Sequence, residues 1–426
     1  MINFSKKSIY DGINFTNISD DRFKTMRLSI AFFMPLAKET ASSNGIVPFI
    51  LRRSCKEYPD FTALNKKLAK LYGAHLYASV NKRGETQVLI ISIVSIDNRY
   101  AINNENMEQE IAKLLCSVIF NPLLDENNNF SIDDIEQERR QMIEYLDAEY
   151  NNKRSYAKIR CLELMCKDEK FSINCFGDKD HLSCLKSGDI YDAYKNMLTT
   201  ARIEIMALGA LNSDFVFDIF KNEFKKIDRK TTSECNTHII KSKDKPQEFT
   251  EQMDVAQCKL VLGFRCDVKP SNKDKISMKL MSAVFGATPY SKLFLNVREK
   301  MSLCYYCQSS YDRYKDIMFV QSGVEKDNLE KAKKEILNQL DEIKKGNFDE
   351  SDLESAKMSI INNILSVKDS LAAMEAFYLY QSPEPKTFSI EETIDIINSI
   401  SKEDVINSAN KVTLDTIYSL VCKEEK

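Results

Sequence analysis

The chain has 426 residues, of which 43% are hydrophobic and 29% are charged, a globular composition long enough for two or more domains. The net charge is -3 with acidic and basic residues interspersed, so no global field points to nucleic acid or to an anionic membrane. No apolar run follows Lys6 and Lys7, and no window approaches the ~20 apolar residues of a spanning helix. We therefore predict a cytoplasmic protein with no membrane span.

The cysteines and histidines argue against a local metal site. Twelve cysteines are scattered along the chain, which indicates reduced thiols in a cytoplasmic protein. Cys304 and Cys307 form a C-x-x-C inside a predicted strand, without the second pair or nearby histidines that a zinc site would need or the helix N-terminus that is typical of a redox motif. The histidines, His75, His181 and His238, are too far apart for a local pair of zinc ligands.

The first half of the chain predicts strands and helices in a mixed order. Apolar residues alternate through 26–32 as in a half-buried strand, and the apolar run 88–91 indicates a strand buried on both faces. The predicted elements are, in order, a strand at 26–32, helices at 41–53 and 61–71, a hairpin of 76–80 with 88–96, a long helix from 132, and a strand at 203–208.

The second half repeats this order after a polar, turn-rich segment at 222–254, which predicts a linker between domains at 1–221 and 255–426. Its predicted elements are a strand at 259–265, helices at 273–285 and 291–300, a hairpin of 303–309 with 317–324, helices at 329–345, 351–365 and 400–412, and a strand at 416–421. Hairpins and helix pairs together predict an α+β fold with antiparallel-rich sheets and helices on one face. Two such halves often enclose a cavity.

Three stretches carry a family resemblance. SKLFLNVREKMSLCY at 291–305 is similar to the C-terminal signature of the pitrilysin/insulinase peptidases, NGIVPFILR at 44–52 occupies the place of their zinc motif, and DIEQERRQMIE at 134–144 is similar to their downstream glutamate helix. The resemblance covers nearly the whole chain. It implies two homologous pitrilysin/insulinase-like domains with antiparallel-rich sheets flanked by helices.

Within that family the chain resembles a branch without zinc. The stretches at 51–65 and 71–76 are those that carry this closer likeness. The branch implies a heterodimer with a homologous, zinc-bearing peptidase subunit, and an association with the modification of elongation factor P. Zinc is then expected only in the partner, and no cofactor in this chain.

The zinc motif is degenerate at each position that the chemistry needs. An inverted zinc motif sets two histidines four residues apart on one helical face, with a glutamate between them as general base. Pro48 and Arg52 stand at the histidine positions and Leu51 at the glutamate, while Tyr145 takes the place of the glutamate ligand on the later helix. Proline and leucine offer no ligand atom, and arginine repels a dication. Glu144 is one position short, about 100° around the helix.

Glu138 matches the first glutamate of the family's later helix, and is a candidate for a retained functional acid. The alternative is an ordinary solvated glutamate, because Arg139 and Arg140 follow it in a charged run.

Arg298 and Tyr305 survive at the family's spacing. The resemblance implies that they reach toward the zinc site, where tyrosine donates to the developing oxyanion and arginine binds substrate backbone or adds positive charge. Since this chain lacks the metal ligands, the pair would assist a partner's site. The alternative is that Arg298 caps its helix or pairs with Glu299, and that Tyr305 packs in its strand.

The sequence therefore predicts a disarmed subunit of a heterodimeric zinc processing peptidase that acts on a peptide or small protein. One alternative is a peptide-binding or scaffold protein of the same fold without proteolysis. A second is a hydrolase that uses Cys55 or Cys304, although no histidine lies near either in sequence. The chain alone could form a homodimer.

Overall fold

The computed structural model describes residues 3–241 and 245–423, so residues 242–244 of the predicted linker lie outside the described residues. Its helices and two sheets confirm the predicted α+β class. The strands are β1 (Asn3–Tyr10), β2 (Ile13–Ser19), β3 (Thr25–Pro35), β4 (His75–Arg83), β5 (Thr86–Ile96), β6 (Arg202–Leu208), β7 (Gln247–Met253), β8 (Cys258–Cys266), β9 (Cys304–Asp312), β10 (Ile317–Val324) and β11 (Val412–Cys422).

The helices connect these strands. Two segments are π-helical: Ala283–Ala287 precedes the signature stretch at 291–305, and Leu293–Lys300 lies within it. The α-helices are α1 (Lys38–Leu51), α2 (Phe61–Lys70), α3 (Met107–Phe120), α4 (Ile132–Asn151), α5 (Lys153–Met165), α6 (Lys179–Cys184), α7 (Ser187–Thr200), α8 (Ser213–Phe224), α9 (Asn272–Ser282), α10 (Leu329–Lys344), α11 (Glu350–Leu365), α12 (Leu371–Leu379), α13 (Ile390–Ser399) and α14 (Lys402–Ala409). No helix within the described ranges is long and apolar enough to cross a bilayer.

The first sheet has the strand order β1-β2-β6-β3-β5-β4. The pair β2 and β6 is parallel and the others are antiparallel, with β3 and β5 in register from Thr25 opposite Ile96 to Pro35 opposite Thr86. The run at 88–91 is buried on both faces as predicted. Leu89 and Ile91 join the core under α1, α3 and α7, whereas Val88 and Ile90 pack on the other face against α12.

The second sheet has the order β7-β11-β8-β10-β9, with β7 and β11 parallel. Helices α9 and α10 contact β9 and β8. The opposite face is covered by α5, whose Cys161 and Met165 pack with Val261 and Phe319. The prediction of helices on one face only is therefore incomplete, because each sheet also carries a single helix on its second face.

The chain divides into two compact units, and neither is one continuous stretch. The first unit comprises Met1–Leu146, Ile173–Asn236 and Val367–Thr387, and the second comprises Asp147–Ser172, Thr237–Ser366 and Phe388–Lys426. Helix α12 thus completes the first unit although it lies late in the chain, and α5 completes the second although it lies early.

Sequence patterns missed three strands, of which β1 and β7 lie at sheet edges. β1 and β2 precede the first predicted strand, and β7 lies inside the segment predicted as linker. β1 is exposed at nearly every position, and β7 alternates only between half-buried and exposed side chains. Edge strands of this kind bury too little surface to impose an apolar alternation on the sequence.

Candidate functional site

Helix α1 carries the degenerate motif in its last turn. Pro48 and Leu51 are buried, while Arg52 follows the last helical residue and donates its backbone N–H to the Pro48 carbonyl at 3.3 Å. Proline has no N–H, so the helix forgoes one internal hydrogen bond at this turn. Neither Pro48 nor Leu51 presents an atom that can ligate a metal or accept a proton.

Glu138 is the member of the glutamate helix that faces this turn. Its side chain is 2% exposed, so the alternative of a solvated surface glutamate is wrong. A buried carboxylate needs a positive partner, because removing an unpaired charge from water costs several kcal/mol. Arg53 supplies it, with Nη1 3.0 Å from Glu138 Oε1.

Arg53 holds helix α4 through three neighbouring side chains. Its Nε donates to Asp134 Oδ1 at 2.5 Å and its Nη2 donates to Gln137 Oε1 at 2.7 Å. Asp134, Gln137 and Glu138 stand three and four residues apart and so share one helical face. Burial alone would lower the pKa of Arg53, but the hydrogen-bonded carboxylates of Asp134 and Glu138 outweigh it and raise that pKa.

Arg52 adds a second guanidinium to the same carboxylate, with Nη2 3.8 Å from Glu138 Oε2. Arg52, which we predict to stand at the position of the family's second histidine, thus places a fixed positive charge beside Glu138. These residues do not fit a zinc ion, because a guanidinium occupies the side of Glu138 on which a metal would need a ligand. Among the described residues, no group of three or more histidine, cysteine or acidic side chains could hold a metal.

Tyr145 also lies in this neighbourhood. Its ring contacts Phe176 with 4.8 Å between centroids, Phe176 lies 6.3 Å from Phe49, and the Arg52 guanidinium lies 5.5 Å from the Phe49 ring. Gly45 allows this approach, since a Cβ there would lie 3.3 Å from the Cys175 carbonyl oxygen. Arg52 and Tyr145, which we predict to stand at zinc-ligand positions of the family, are therefore connected through Phe49 and Phe176 by cation–π and aromatic contacts.

Arg298 and Tyr305 lie together in the second unit. Both line a pocket of about 450 Å³, together with Glu299, Ser302, Leu303, Cys304, Glu325 and Asn328. The Arg298 side chain is 41% exposed, lies over the Phe294 ring at 4.7 Å and has its Nε 3.4 Å from Glu299 Oε1. The predicted alternative of an Arg298–Glu299 pair is therefore present, within the same pocket.

Tyr305 projects from the start of β9 because of a β-bulge. Val324 pairs with Cys304 and Gly323 pairs with Tyr306, so Tyr305 is the extra residue. A bulge re-aims the side chain that it carries. Tyr305 is 62% exposed, which contradicts the alternative that it packs within its strand.

The hydroxyl of Tyr305 donates to Glu325 Oε1 at 3.1 Å, and this bond raises the Tyr305 pKa. Sequence reasoning missed Glu325. The hairpin offered a signal, since Glu325 directly follows the strand that pairs with the start of β9.

The cysteine alternative loses one candidate. Cys55 is fully buried and accepts a hydrogen bond from the Ser117 hydroxyl at 3.4 Å. A nucleophilic cysteine must be accessible to substrate, so Cys55 does not meet the requirement.

Comparison with known proteins agrees with the fold. The family described as "Peptidase M16 inactive domain" matches residues 185–360. The Bacillus subtilis (strain 168) protein named "Probable inactive metalloprotease YmfF" is 28% identical over 414 residues, which cover 97% of each chain.

Two solved structures extend the similarity to the whole chain. A conserved protein from Enterococcus faecalis V583 superposes with a TM-score of 0.92 at 25% identity and covers 100% of both chains. A peptidase M16 inactive domain from Pseudomonas fluorescens gives a TM-score of 0.79 at 14% identity and covers 100% of this chain and 99% of its own. The predicted fold of two homologous peptidase-like domains is confirmed. The chain is a catalytically disarmed homologue of the pitrilysin/insulinase-type (M16) metallopeptidases.

Proposed function

We propose that this chain is the non-metal subunit of a heterodimeric, cytoplasmic zinc peptidase, and that it lends Arg298 and Tyr305 to a zinc site held by a homologous partner. The substrate class is a peptide or small protein. The observation that carries the proposal is the common pocket of Arg298 and Tyr305, in which both side chains remain open to solvent.

The contrast with the first unit supports this division of labour. There, Glu138 is held by Arg53 and Arg52, and Pro48 and Leu51 carry no ligand atom. A site that cannot hold a metal has no use for an oxyanion donor of its own. Two exposed polar side chains at family positions are then best explained by a reacting centre on another subunit.

The chemistry assigned to the pair follows from its atoms. A bound zinc ion in the partner would polarise the scissile carbonyl and activate a water. The Tyr305 hydroxyl would donate a hydrogen bond to the oxygen that becomes negative, and the Arg298 guanidinium would bind substrate carbonyls or add positive potential there.

Glu325 sets the resting state of this donor. In the free chain the Tyr305 hydroxyl donates to Glu325, so the incoming substrate oxygen must replace that carboxylate as acceptor. Because a hydroxyl has one proton to donate, the two acceptors compete for it.

The test mixes the purified chain with a homologous zinc-bearing subunit and measures cleavage of a peptide library by mass spectrometry. Tyr305→Phe and Arg298→Ala are each expected to lower kcat/KM at least ~10-fold, since one oxyanion donor is usually worth more than that. A chelator should abolish cleavage in every mixture that cuts.

Matched controls separate this role from general damage. Tyr290→Phe removes the hydroxyl of another exposed tyrosine, and Lys300→Ala removes a neighbouring exposed cation outside the pocket. Both should leave kcat/KM unchanged. Sizing of each variant with and without the zinc-bearing subunit reports whether a heterodimer, or a homodimer of this chain alone, is present.

Full activity of both pocket variants in a complex that still assembles would refute the shared site. A complex that binds peptides but cuts none, with zinc present, would favour the non-proteolytic scaffold instead.

A further inference from the structure

Two cysteines at the start of β9 share one face of the sheet. Residues three apart in a regular strand point to opposite faces. The bulge at Tyr305 changes this for Cys304 and Cys307, which pair with Val324 and Ser322 on β10, two residues apart. Both cysteines are buried, whereas Tyr305 between them is exposed.

The two thiols differ in acidity, and each shifts the pKa of the other. The contact with Cys307 and the positive charge of Arg298 outweigh burial and lower the pKa of Cys304 to about 7. The same contact with Cys304, together with burial, raises the pKa of Cys307 well above its usual value. Cys304 is thus the sulfur of the pair that loses its proton first as the pH rises.

Access to the ionised sulfur comes through the pocket already described. Cys304 lines it together with Arg298 and Tyr305, and Cys307 is not among its lining residues. A small reagent in this pocket meets Cys304 first. A low-pKa attacking thiol backed by a second thiol is the arrangement used by reactive dithiols.

We propose that Cys304 and Cys307 are a redox-active dithiol that closes to a disulfide by exchange with a low-molecular-weight disulfide. The Cys304 thiolate attacks one sulfur of the small disulfide and releases one small thiolate. Cys307 then loses its proton and attacks Cys304 Sγ in the mixed disulfide, which releases the second small thiol. The protein dithiol is oxidised by two electrons, and one small disulfide is reduced to two thiols.

This role is independent of the proposed peptidase function, but it acts on the same bulge. A disulfide between Cys304 and Cys307 would bridge the two residues that flank Tyr305 and Tyr306. Gly323 lies opposite Tyr306, and a Cβ there would lie 2.4 Å from the Tyr306 ring. A disulfide would join the two sides of the bulge that carries Tyr305.

The sheet contains a second cysteine pair for comparison. Cys258 Sγ and Cys422 Sγ lie 3.9 Å apart, and burial raises the pKa of Cys258. Proximity alone would let this pair oxidise too. If thiolate character and access decide the outcome, the pair at Cys304 and Cys307 oxidises first.

The test incubates the reduced full-length chain in buffers of reduced and oxidised glutathione, quenches with acid, alkylates and digests with trypsin. The peptide 301–313 contains both cysteines and no others. We expect it to lose two hydrogens and escape alkylation at a less oxidising ratio than the peptides of Cys258 and Cys422. Full alkylation of 301–313 at every ratio, or earlier oxidation of the other pair, would overturn the proposal.

Variants report the order of attack. Cys307→Ser should leave Cys304 as a stable mixed disulfide with glutathione, whereas Cys304→Ser should block both steps. Cys184→Ser removes an exposed cysteine elsewhere and should change neither. A glutathione adduct on Cys307 rather than Cys304 would contradict the assigned roles.

The rate of alkylation by iodoacetamide supplies a second readout. Cys304 should react at least ~10-fold faster than Cys258 at pH 7, with a midpoint near pH 7 in its rate profile. Arg298→Ala should move this midpoint to higher pH, and Arg298→Lys should restore it. A midpoint that ignores the charge at position 298 would rule out Arg298 as a positioning residue for this thiolate.

Discussion

The charged side chains of the cluster around Glu138 are buried and paired, whereas Arg298 in the pocket around Tyr305 is exposed to solvent. Arg53 places three donors on three side chains of α4 and is nearly buried, whereas Arg298 is 41% exposed and lies against its own helix. Both regions contain residues that we predict to stand at catalytic positions of the family. In the first, internal partners have taken over those positions, and in the second the side chains remain available to another molecule.

The two regions therefore differ in how much their charged side chains contribute to the free energy of folding. A charge that is buried and partnered contributes to folding, and removing its partner leaves the remaining charge stranded. A charge that is solvated contributes little to folding, so its retention needs another explanation.

The largest expected effect comes from breaking the buried cluster. Arg53→Ala removes the main partner of Glu138 and should lower the free energy of unfolding by about 3 kcal/mol. Urea denaturation followed by circular dichroism measures it. Arg140→Ala removes an exposed arginine from α4, the helix that carries Glu138, and should change the stability by less than about 0.5 kcal/mol. Equal stabilities of the two variants would mean that the buried cluster contributes no more to folding than an exposed arginine does.

Asp316 is a buried carboxyl that has no guanidinium partner among the described residues, and its ionisation should destabilise the fold. Asp316 accepts from the Val268 N–H and the Tyr311 hydroxyl at 2.8 Å, and burial raises its pKa to about 6. The folded state therefore binds this proton more tightly than the unfolded state, and stability is lost as pH rises from about 4 to 6. Lys275 opposes the shift in pKa and Asp267 adds to it.

Asp316→Asn removes that titration. Asparagine tolerates the positive φ of 59° at this position. The stability of the variant relative to the wild type should rise by about 2 kcal/mol between pH 4 and pH 7. Urea unfolding at a series of pH values measures the difference, and a flat difference across that range would show that Asp316 keeps an ordinary pKa.

The smallest expected effect belongs to the exposed pocket. Tyr305→Phe and Arg298→Ala should leave the urea midpoint of the isolated chain within about 0.2 M of the wild type, because neither side chain fills the core. A shift as large as that of Arg53→Ala would mean that the pair is structural, and would weaken the case for a shared active site.

Central strands and amphipathic helices could be predicted from the sequence, because burial imposes a period on them. The alternation in β3 and the apolar run in β5 follow directly from their places inside the first sheet. The marginal strands β1 and β7 could not be predicted, since solvent imposes no such period. The assignment of Pro48, Leu51 and Arg52 to the family's zinc-motif positions stays a prediction.

What replaced the metal could not be predicted from those motifs. Arg53 directly follows the zinc-motif stretch at 44–52, and its partners are 81 to 85 residues away in sequence. The direction of Tyr305 depends on a bulge, which is a property of strand pairing rather than of local composition. Glu138 illustrates the same difficulty. The neighbouring Arg139 and Arg140 suggested a solvated helix face, but Glu138 is buried and paired with Arg53.

The late arrival of α12 has a consequence for synthesis. Leu371, Met374 and Tyr378 cover Phe33 and Val88 on one face of the first sheet, although Leu371 lies 283 positions after Val88 in the sequence. A ribosome that has released only the first half leaves this apolar face without its cover, and such surfaces bind chaperones or aggregate. Expression of residues 1–236 alone should therefore yield insoluble material, and co-synthesis of residues 367–387 should restore solubility. The first unit can complete its fold only after this short helix near the end of the chain has been synthesised.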